Sequence, residues 1–364
     1  MYKLAYSDNS DWQASVDDCL QQIDKLCGAK KSTLTLGFIY VTDPFAADLT
    51  KILTHLKEQL PDCQWVGTVG MAINVTGKEF YESPALSILV TDLDKQSFEV
   101  FNSPDDITLR DPDSVHFAVV HGDPRNGELA NIIEQLPDQL GHGYLVGGLT
   151  SANEYYYQVA NNMTESSVSG VVFNHAEHVV TGITQGCSPI GPVRKLTECD
   201  HNMAVTIDDQ PALEVFKQDI GEVLARDIDR AAGYIFAGFP VSGSDTGDYL
   251  VRNIVGIDPQ NGLLAIADYL QADSPIMFCK RDHQTAIADM KRMLQNLKDR
   301  CEKPQAGLYF SCMGRGQHMF GEVGKEMELI NEYFPDIPIT GFYANGEIAG
   351  NRLYGYTGVL TLFT

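Results

Sequence analysis

LTLGFIYVTDPFAADLTKILTHLKEQLPDCQWVGTVG, residues 34–70, decides how this chain is read. Its first run, LGFIYVT, is rich enough in aromatic and β-branched residues for a strand. Asp43 is placed to cap a helix, and Pro44 suits the first helical position. Leu49, Ile52, Leu53, Leu56 and Leu60 then recur at helical spacing on one face. A proline at 61 stops the helix, and QWVGTVG supplies a second strand-like run with a closing glycine at 67. Two other stretches obey the same grammar: VHFAVVHGDPRNGELANIIEQLPDQLGHGYLVGG (115–148) and AGLYFSCMGRGQHMFGEVGKEMELINEYFPDIPITG (306–341). Each carries a Pro-Asp pair (Pro61-Asp62, Pro137-Asp138, Pro335-Asp336) and a closing glycine (Gly67, Gly147, Gly341). A further apolar run follows each: ALSILVT, SGVVFN and YTGVLTLF.

The spacing predicts an α/β protein with mixed sheets and two lobes, built on three internal β-α-β-β repeat units at 34–92, 115–174 and 306–363. Glycine and proline cluster near 185–200, where a boundary is expected. Residues 1–190 then hold the first two units and residues 191–364 the third, with residues 200–300 expected beside that third unit in the second lobe. Two more helices are legible. SDWQASVDDCLQQIDKLCG opens on Ser10 and Gln13 as a capping box and stops at Gly28, with Val16, Cys19, Leu20, Ile23, Leu26 and Cys27 on one side. DHQTAIADMKRMLQNLKDRC (282–301) starts at Asp282 as a cap and places Ile287, Met290, Leu294, Leu297 and Cys301 on a stripe.

Composition narrows the function classes. The 364 residues carry 26 basic and 49 acidic side chains, a net charge of −23. That argues against nucleic acid as a partner, because phosphate binding needs a basic face, and against an anionic membrane surface. The N-terminal MYKLAYSDNSDW has no apolar core of a secretory leader, and no apolar stretch approaches a membrane span. The eight cysteines are scattered, with no CxxC pair, so a reduced, cytoplasmic protein is the simplest expectation.

SCMGRGQHMFG (311–321) is the chemical turn of the third unit. Gly314, Arg315 and Gly316 after a strand can present backbone N–H groups and a guanidinium fork to an anion; the plain alternative is a tight turn with a solvated arginine. Cys312 is either a nucleophile, which needs a lowered thiol pKa, or an inert thiol. His318, and His283 in CKRDH, are the candidate axial ligands of a haem. GFYANGEIAG (341–350) offers Asn345, Gly346 and Glu347 at the end of the next strand. In an open α/β sheet ligands gather at the carboxyl ends of strands. If the two strands are neighbours, Arg315 and Glu347 face one pocket and suit a small zwitterion; otherwise they are a structural ion pair.

At these residues the chain resembles a known family. SCMGRG, PDIPITGFYANGEIAG and GYTGVLTLF are similar to the FIST C-terminal domain. GCSPIGPVRKLTECDHNMAVTIDDQPALEVF is similar to the junction of the N- and C-terminal FIST domains. The first two units, with VGTVG and LVGGLTSA, resemble the remainder of FIST-N. In one place the chain departs from the family: Gly67-Thr68-Val69-Gly70-Met71 stands where relatives often carry Gly-Cys-Ser/Thr and a Gly-Glu pair. The resemblance implies a sensory module that binds small ligands such as amino acids in signal transduction. A free-standing bacterial subset binds haem, senses nitric oxide and regulates a partner histidine kinase. Its implied cofactor here is haem b, held by His318 or His283. The expected function is therefore a ligand sensor acting through a separate partner and not an enzyme. The alternatives are a hydrolase or transferase using Cys312, and a ligand-free adaptor.

Overall fold

The computed structural model describes residues 1–107, 109, 115–174, 177–225, 234–241 and 248–364, with side chains apart from those of residues 29 and 222–225. Strand Leu36–Thr42 is buried at every position. It lies between Gln64–Gly70, which runs parallel to it, and Leu86–Thr91, which runs antiparallel. An unbroken apolar run is what a strand covered on both faces requires. The second unit repeats this order with Val115–Gly122 between Tyr144–Leu149 and Val168–Asn174. The third repeats it with Ala306–Cys312 between Ile339–Ala344 and Thr357–Phe363. The crossover helices are Leu49–Gln59, Leu129–Gln139 and, in the third unit, the pair Gly316–Phe320 and Lys325–Tyr333.

The three closing glycines have one cause. A Cβ on Gly67 would lie 1.7 Å from the Ile39 carbonyl oxygen, one on Gly147 1.8 Å from that of Val120, and one on Gly341 1.8 Å from that of Tyr309. Each is also the residue paired with that same partner in the parallel ladder. The repeat is therefore structural, and its register makes Tyr40, His121 and Phe310 equivalent. Their rings meet at centroid distances of 5.6, 6.3 and 6.3 Å, so one aromatic side chain from each unit fills the centre. Tyr40 Oη lies 3.3 Å from His121 Nε2. Burial drives the His121 pKa down to about 3, so this ring is neutral.

The segment after each closing glycine reads as a loop in the sequence. It forms a β-hairpin that crosses to another unit. Ala72–Val75 and Lys78–Tyr81 of unit one extend the sheet of unit three. Glu347–Ala349 and Arg352–Tyr354 of unit three extend that of unit two. Gln158–Ala160 and Asn162–Thr164 of unit two extend that of unit one. The exchange is cyclic, and each of these sheets has six strands.

The compact units cut across the division expected at residue 190. One unit joins residues 1–185 to 288–364, so the third repeat stands with the first two, and the other is residues 186–287. The reason is strand Val179–Gln185, which pairs with Thr357–Phe363 of the third repeat. The chain leaves that sheet at 185 and returns through helix His283–Arg300, so the second lobe is an insertion within repeat three. Within it, Pro275–Arg281, Arg194–Asp200, Met203–Ile207, Leu263–Ile266, Tyr249–Asp258 and Ile235–Pro240 pair in a closed antiparallel ring. Its core includes Leu196, Ile207, Phe216, Ile266 and Phe278.

Local readings shift in three places. The first helix, Trp12–Cys27, is capped by Asp11, whose carboxylate accepts from Ala14 N at 2.9 Å, and Leu26 is exposed. Asp43 caps nothing: a 3-10 turn over Asp43–Asp48 separates it from the helix, and its carboxylate accepts from Asn153 N at 2.9 Å and Nδ2 at 2.8 Å. Pro137 lies inside its helix. The Asp282 cap holds, accepting from Thr285 N at 2.7 Å.

Substituting Gly341→Ala should cost about 3 kcal/mol, because the new methyl meets backbone that cannot move aside. Gly127→Ala, with nothing within 4 Å of its Cβ position, should be near neutral. Urea denaturation of the two variants checks this, and equal stabilities would contradict the shared register.

Candidate functional site

Strands Ala306–Cys312 and Ile339–Ala344 are parallel neighbours, with Cys312 opposite Ala344. The turns after them are tied by Met313 N donating to Ala344 O at 3.0 Å. The expected convergence of the two chemical turns is therefore present, but their side chains are partnered differently from the expectation.

Arg315 is fully buried. Its Nε donates to Glu326 Oε1 at 2.9 Å, and Nη2 lies 2.8 Å from the same oxygen. Nη1 reaches the carbonyls of Thr184 (3.3 Å) and Tyr356 (3.5 Å), and the guanidinium lies 5.1 Å from the Phe320 ring centre. The Glu326 carboxylate also accepts from Tyr309 Oη (2.7 Å), Ser311 Oγ (3.0 Å), Gly316 N (3.1 Å) and Tyr343 Oη (3.2 Å). The anion that Arg315 and the Gly-rich turn were expected to clamp is thus a side chain of the protein itself. Glu326 escaped the sequence reading because first-turn acids are common on helices and its partner sits on the preceding turn. The glycines serve close approach. A Cβ on Gly316 would lie 2.0 Å from Tyr81 Oη, and one on Gly314 2.6 Å from the Tyr356 ring.

Asn345 and Gly346 are stitched to the second unit: Asn345 Nδ2 donates to Thr150 O at 3.2 Å, Asn345 N to Leu149 O at 3.0 Å, and Gly346 O accepts from Leu149 N at 2.9 Å. Glu347 differs. It is fully buried, and its Oε2 accepts from Thr357 N at 3.0 Å and Thr357 Oγ1 at 2.6 Å. Among the described residues its Oε1 has no hydrogen-bond partner, and neither does the buried Thr184 Oγ1. Burial raises the Glu347 pKa to about 8, against the lowering by the Thr357 hydrogen bonds, Arg315 and a hydrogen bond with the Cys312 thiol. This carboxyl is therefore protonated near neutral pH. The Cys312 thiol lies beside it. Burial, then Glu347, pushes that thiol well above its ordinary range, the opposite of what a nucleophile needs. Nearby Glu79 is raised to about 7 by burial and then by Glu326, while its carboxylate accepts from Gly324 N at 2.8 Å.

The repeat supplies its own control. Glu347 pairs with the residue after the closing Gly147, Gln158 with the residue after Gly67, and Ile73 with the residue after Gly341. The three positions are equivalent. Ile73 asks for no hydrogen bond. Gln158 is satisfied, its Oε1 accepting from Ser169 Oγ at 2.7 Å and its Nε2 donating to Ser166 O at 2.8 Å. The fold does not call for a half-satisfied acid here.

His318 is exposed on the five-residue helix Gly316–Phe320, and His283 is exposed at the start of its own helix. A haem's axial imidazole is held where apolar walls cover the porphyrin. Rings that face solvent do not fit that group, and no step is derived through it.

Comparison with known proteins identifies the chain. The FIST N domain matches residues 35–210, and the FIST C domain matches residues 212–350. The chain belongs to the FIST family. FIST domains are associated with sensory signal transduction. An uncharacterised protein of Mycobacterium bovis is 28% identical over 378 residues, 96% of this chain and 95% of that one. An uncharacterised protein of Mycobacterium tuberculosis is 29% identical over 248 residues; the chain spans 64% of its length. Human F-box only protein 22 is 35% identical over 74 residues, 20% of this chain and 18% of that protein. A solved cyanuric acid hydrolase matches 100% of this chain and 99% of its own at a TM-score of 0.33 and 7% identity, too remote to carry an argument.

Arg315→Ala should unfold readily. It strands a buried Glu326 and should cost about 3–5 kcal/mol. Chemical denaturation decides this; wild-type stability in the variant would show that the ion pair is dispensable.

Proposed function

We propose that this FIST protein is a ligand sensor whose recognition group is the Glu347 carboxyl at the carboxyl ends of the third unit's strands, signalling through a separate protein such as a histidine kinase. One observation carries it: a fully buried acid with Oε1 unpartnered among the described residues, at a position where the equivalent residues are apolar or satisfied. An unpaired buried polar atom costs about 1–3 kcal/mol, a cost that a ligand's hydrogen bonds recover. Thr184 Oγ1, on the strand paired with Thr357–Phe363, is another such atom. The ligand class follows from charge. Arg315 is neutralised by Glu326, and Glu347 is neutral near pH 7, so a zwitterion finds no complementary pair of charges. A small uncharged acid or amide, offering a donor and an acceptor side by side, fits better. The signalling partner rests on the sensory association of the family. A Cys312-dependent hydrolase gains no support from a thiol pushed upward. For a ligand-free adaptor, the unpaired Glu347 has no role.

The test is a thermal-shift screen of small carboxylic acids, amides and amino acids. A ligand at about 100 times its Kd should add about 2.7 kcal/mol of stability, and Glu347→Ile, which installs the residue type of position 73, should abolish the shift. No hit, or a shift that survives Glu347→Ile, contradicts the proposal. The acid also leaves a pH signature. Its folded pKa lies above the ordinary 4.5, so its contribution is complete below that value and is lost as pH rises toward about 8. Glu347→Gln should gain on the wild type across that window, by on the order of a few kcal/mol at the upper end. Parallel stability–pH curves would show that Glu347 ionises normally.

A further inference from the structure

Three Asn-Gly pairs stand in the chain: Asn126-Gly127, Asn261-Gly262 and Asn345-Gly346. Such a pair is chemically labile, because glycine has no side chain to block its own backbone nitrogen from attacking the preceding side-chain amide. The fold decides which pair reacts. The nitrogen must be unpaired, the amide carbon must be held against it, and the peptide must have room to turn.

Asn345-Gly346 fails on two counts. Asn345 N donates to Leu149 O at 3.0 Å and Nδ2 to Thr150 O at 3.2 Å. Gly346 is buried, and a Cβ there would lie 3.0 Å from Leu353 and 3.3 Å from Leu149. Asn261-Gly262 fails as well. Gly262 N already donates to Asp258 O at 2.9 Å, and Asp258 Oδ2 holds Asn261 Nδ2 at 2.7 Å. Asn126-Gly127 meets each condition. Gly127 is exposed, with nothing within 4 Å of its Cβ position, and among the described residues its N–H has no hydrogen-bond partner. Asn126 Oδ1 accepts from Glu128 N at 2.9 Å. That bond folds the side chain back over the Gly127 peptide, and its donor stands where negative charge gathers on the amide oxygen during attack.

We propose that Asn126 is a self-modification site, converted in the folded chain to aspartate and isoaspartate. Gly127 N bonds to Asn126 Cγ, the Cγ–Nδ2 bond breaks, and Nδ2 leaves as ammonia with the proton from Gly127 N. Water then opens the cyclic imide. Attack at Cγ leaves aspartate; attack at the backbone carbonyl carbon leaves isoaspartate, whose chain runs through Cγ. Asn126 lines a cavity of about 410 Å³ with Asp123, Arg125, Glu165 and Ser167. Arg125 Nη2 already faces Asp123 at 2.6 Å and Glu165 at 3.8 Å, so the product carboxylate makes this cavity more acidic. Isoaspartate also displaces the Asn126 carbonyl that accepts from Leu129 N at 3.1 Å, where helix Leu129–Gln139 begins.

The test incubates the native protein in warm, mildly alkaline buffer and follows each pair by peptide mass mapping, which reads the exchange of NH2 for OH. A carboxyl methyltransferase specific for isoaspartate counts the isomerised product. Asn126 should convert about tenfold or more faster than Asn261 and Asn345. In denaturant the three should convert at similar rates, because the fold no longer separates them. Gly127→Ala, which has open space for its methyl, should slow Asn126 by about tenfold with the fold intact. Native rates that match one another, or that Asn261 or Asn345 leads, overturn the proposal. So does an Asn126 that stays intact while the denatured chain converts. An undiminished rate in Gly127→Ala overturns attack by the Gly127 nitrogen.

Discussion

The architecture depends on how closely two parallel strands approach at three equivalent points. At Gly67, Gly147 and Gly341 any side chain would lie within 2 Å of a carbonyl oxygen across the ladder. These contacts fix the register of each unit, and the register sends one aromatic ring per unit to the centre, where Tyr40, His121 and Phe310 close the interior. The cyclic exchange of hairpins then leaves no unit with a complete sheet of its own. Each repeat needs a neighbour to cover its second strand, which is the physical reason the three stand together despite the insertion between them.

Equivalent positions divide what the fold requires from what one unit adds. The closing glycines recur in all three units. The half-satisfied acid occurs in the third alone. Around it, the third unit builds a dense polar interior in which Glu326 is fully satisfied and Glu347 is not. Burial of two such acids is costly. Glu326 recovers the cost through Arg315 and four further donors, while Glu347 remains protonated and keeps one oxygen for another partner.

Local signals were legible in the sequence, and long-range ones were not. Strand, helix, strand and closing glycine show because each depends on residues a few places apart, and the glycines proved to mark the close approach. The insertion was hidden because no local feature of 179–185 says that this strand pairs with 357–363. The hairpins read as loops because their partners lie in other units. Arg315 was recognised as a special residue, yet its partner was misjudged: Glu347 stood at the end of the neighbouring strand, and Glu326 looked like an ordinary helix-start acid. Asp43 was misread for a similar reason, since a distant Asn153 claimed its carboxylate. His121 gave no sign at all, its role being fixed only by the symmetry of the assembled units. Glu347 was found because it stands at the carboxyl end of a strand, where ligands gather in an α/β sheet, and its protonation follows from burial that only the folded chain reveals.

The protonation state of Glu347 is the point on which the functional account turns, and infrared spectroscopy reads it directly. Wild type and Glu347→Gln are compared near pH 7, where an ordinary carboxyl is ionised. A protonated-carboxyl C=O band that is present in the wild type, absent in the variant and lost from the wild type well above about pH 8 would confirm a buried neutral acid poised for a hydrogen-bonding ligand. Identical spectra near pH 7 would mean that Glu347 is ionised in place, and the recognition site would have to be sought elsewhere.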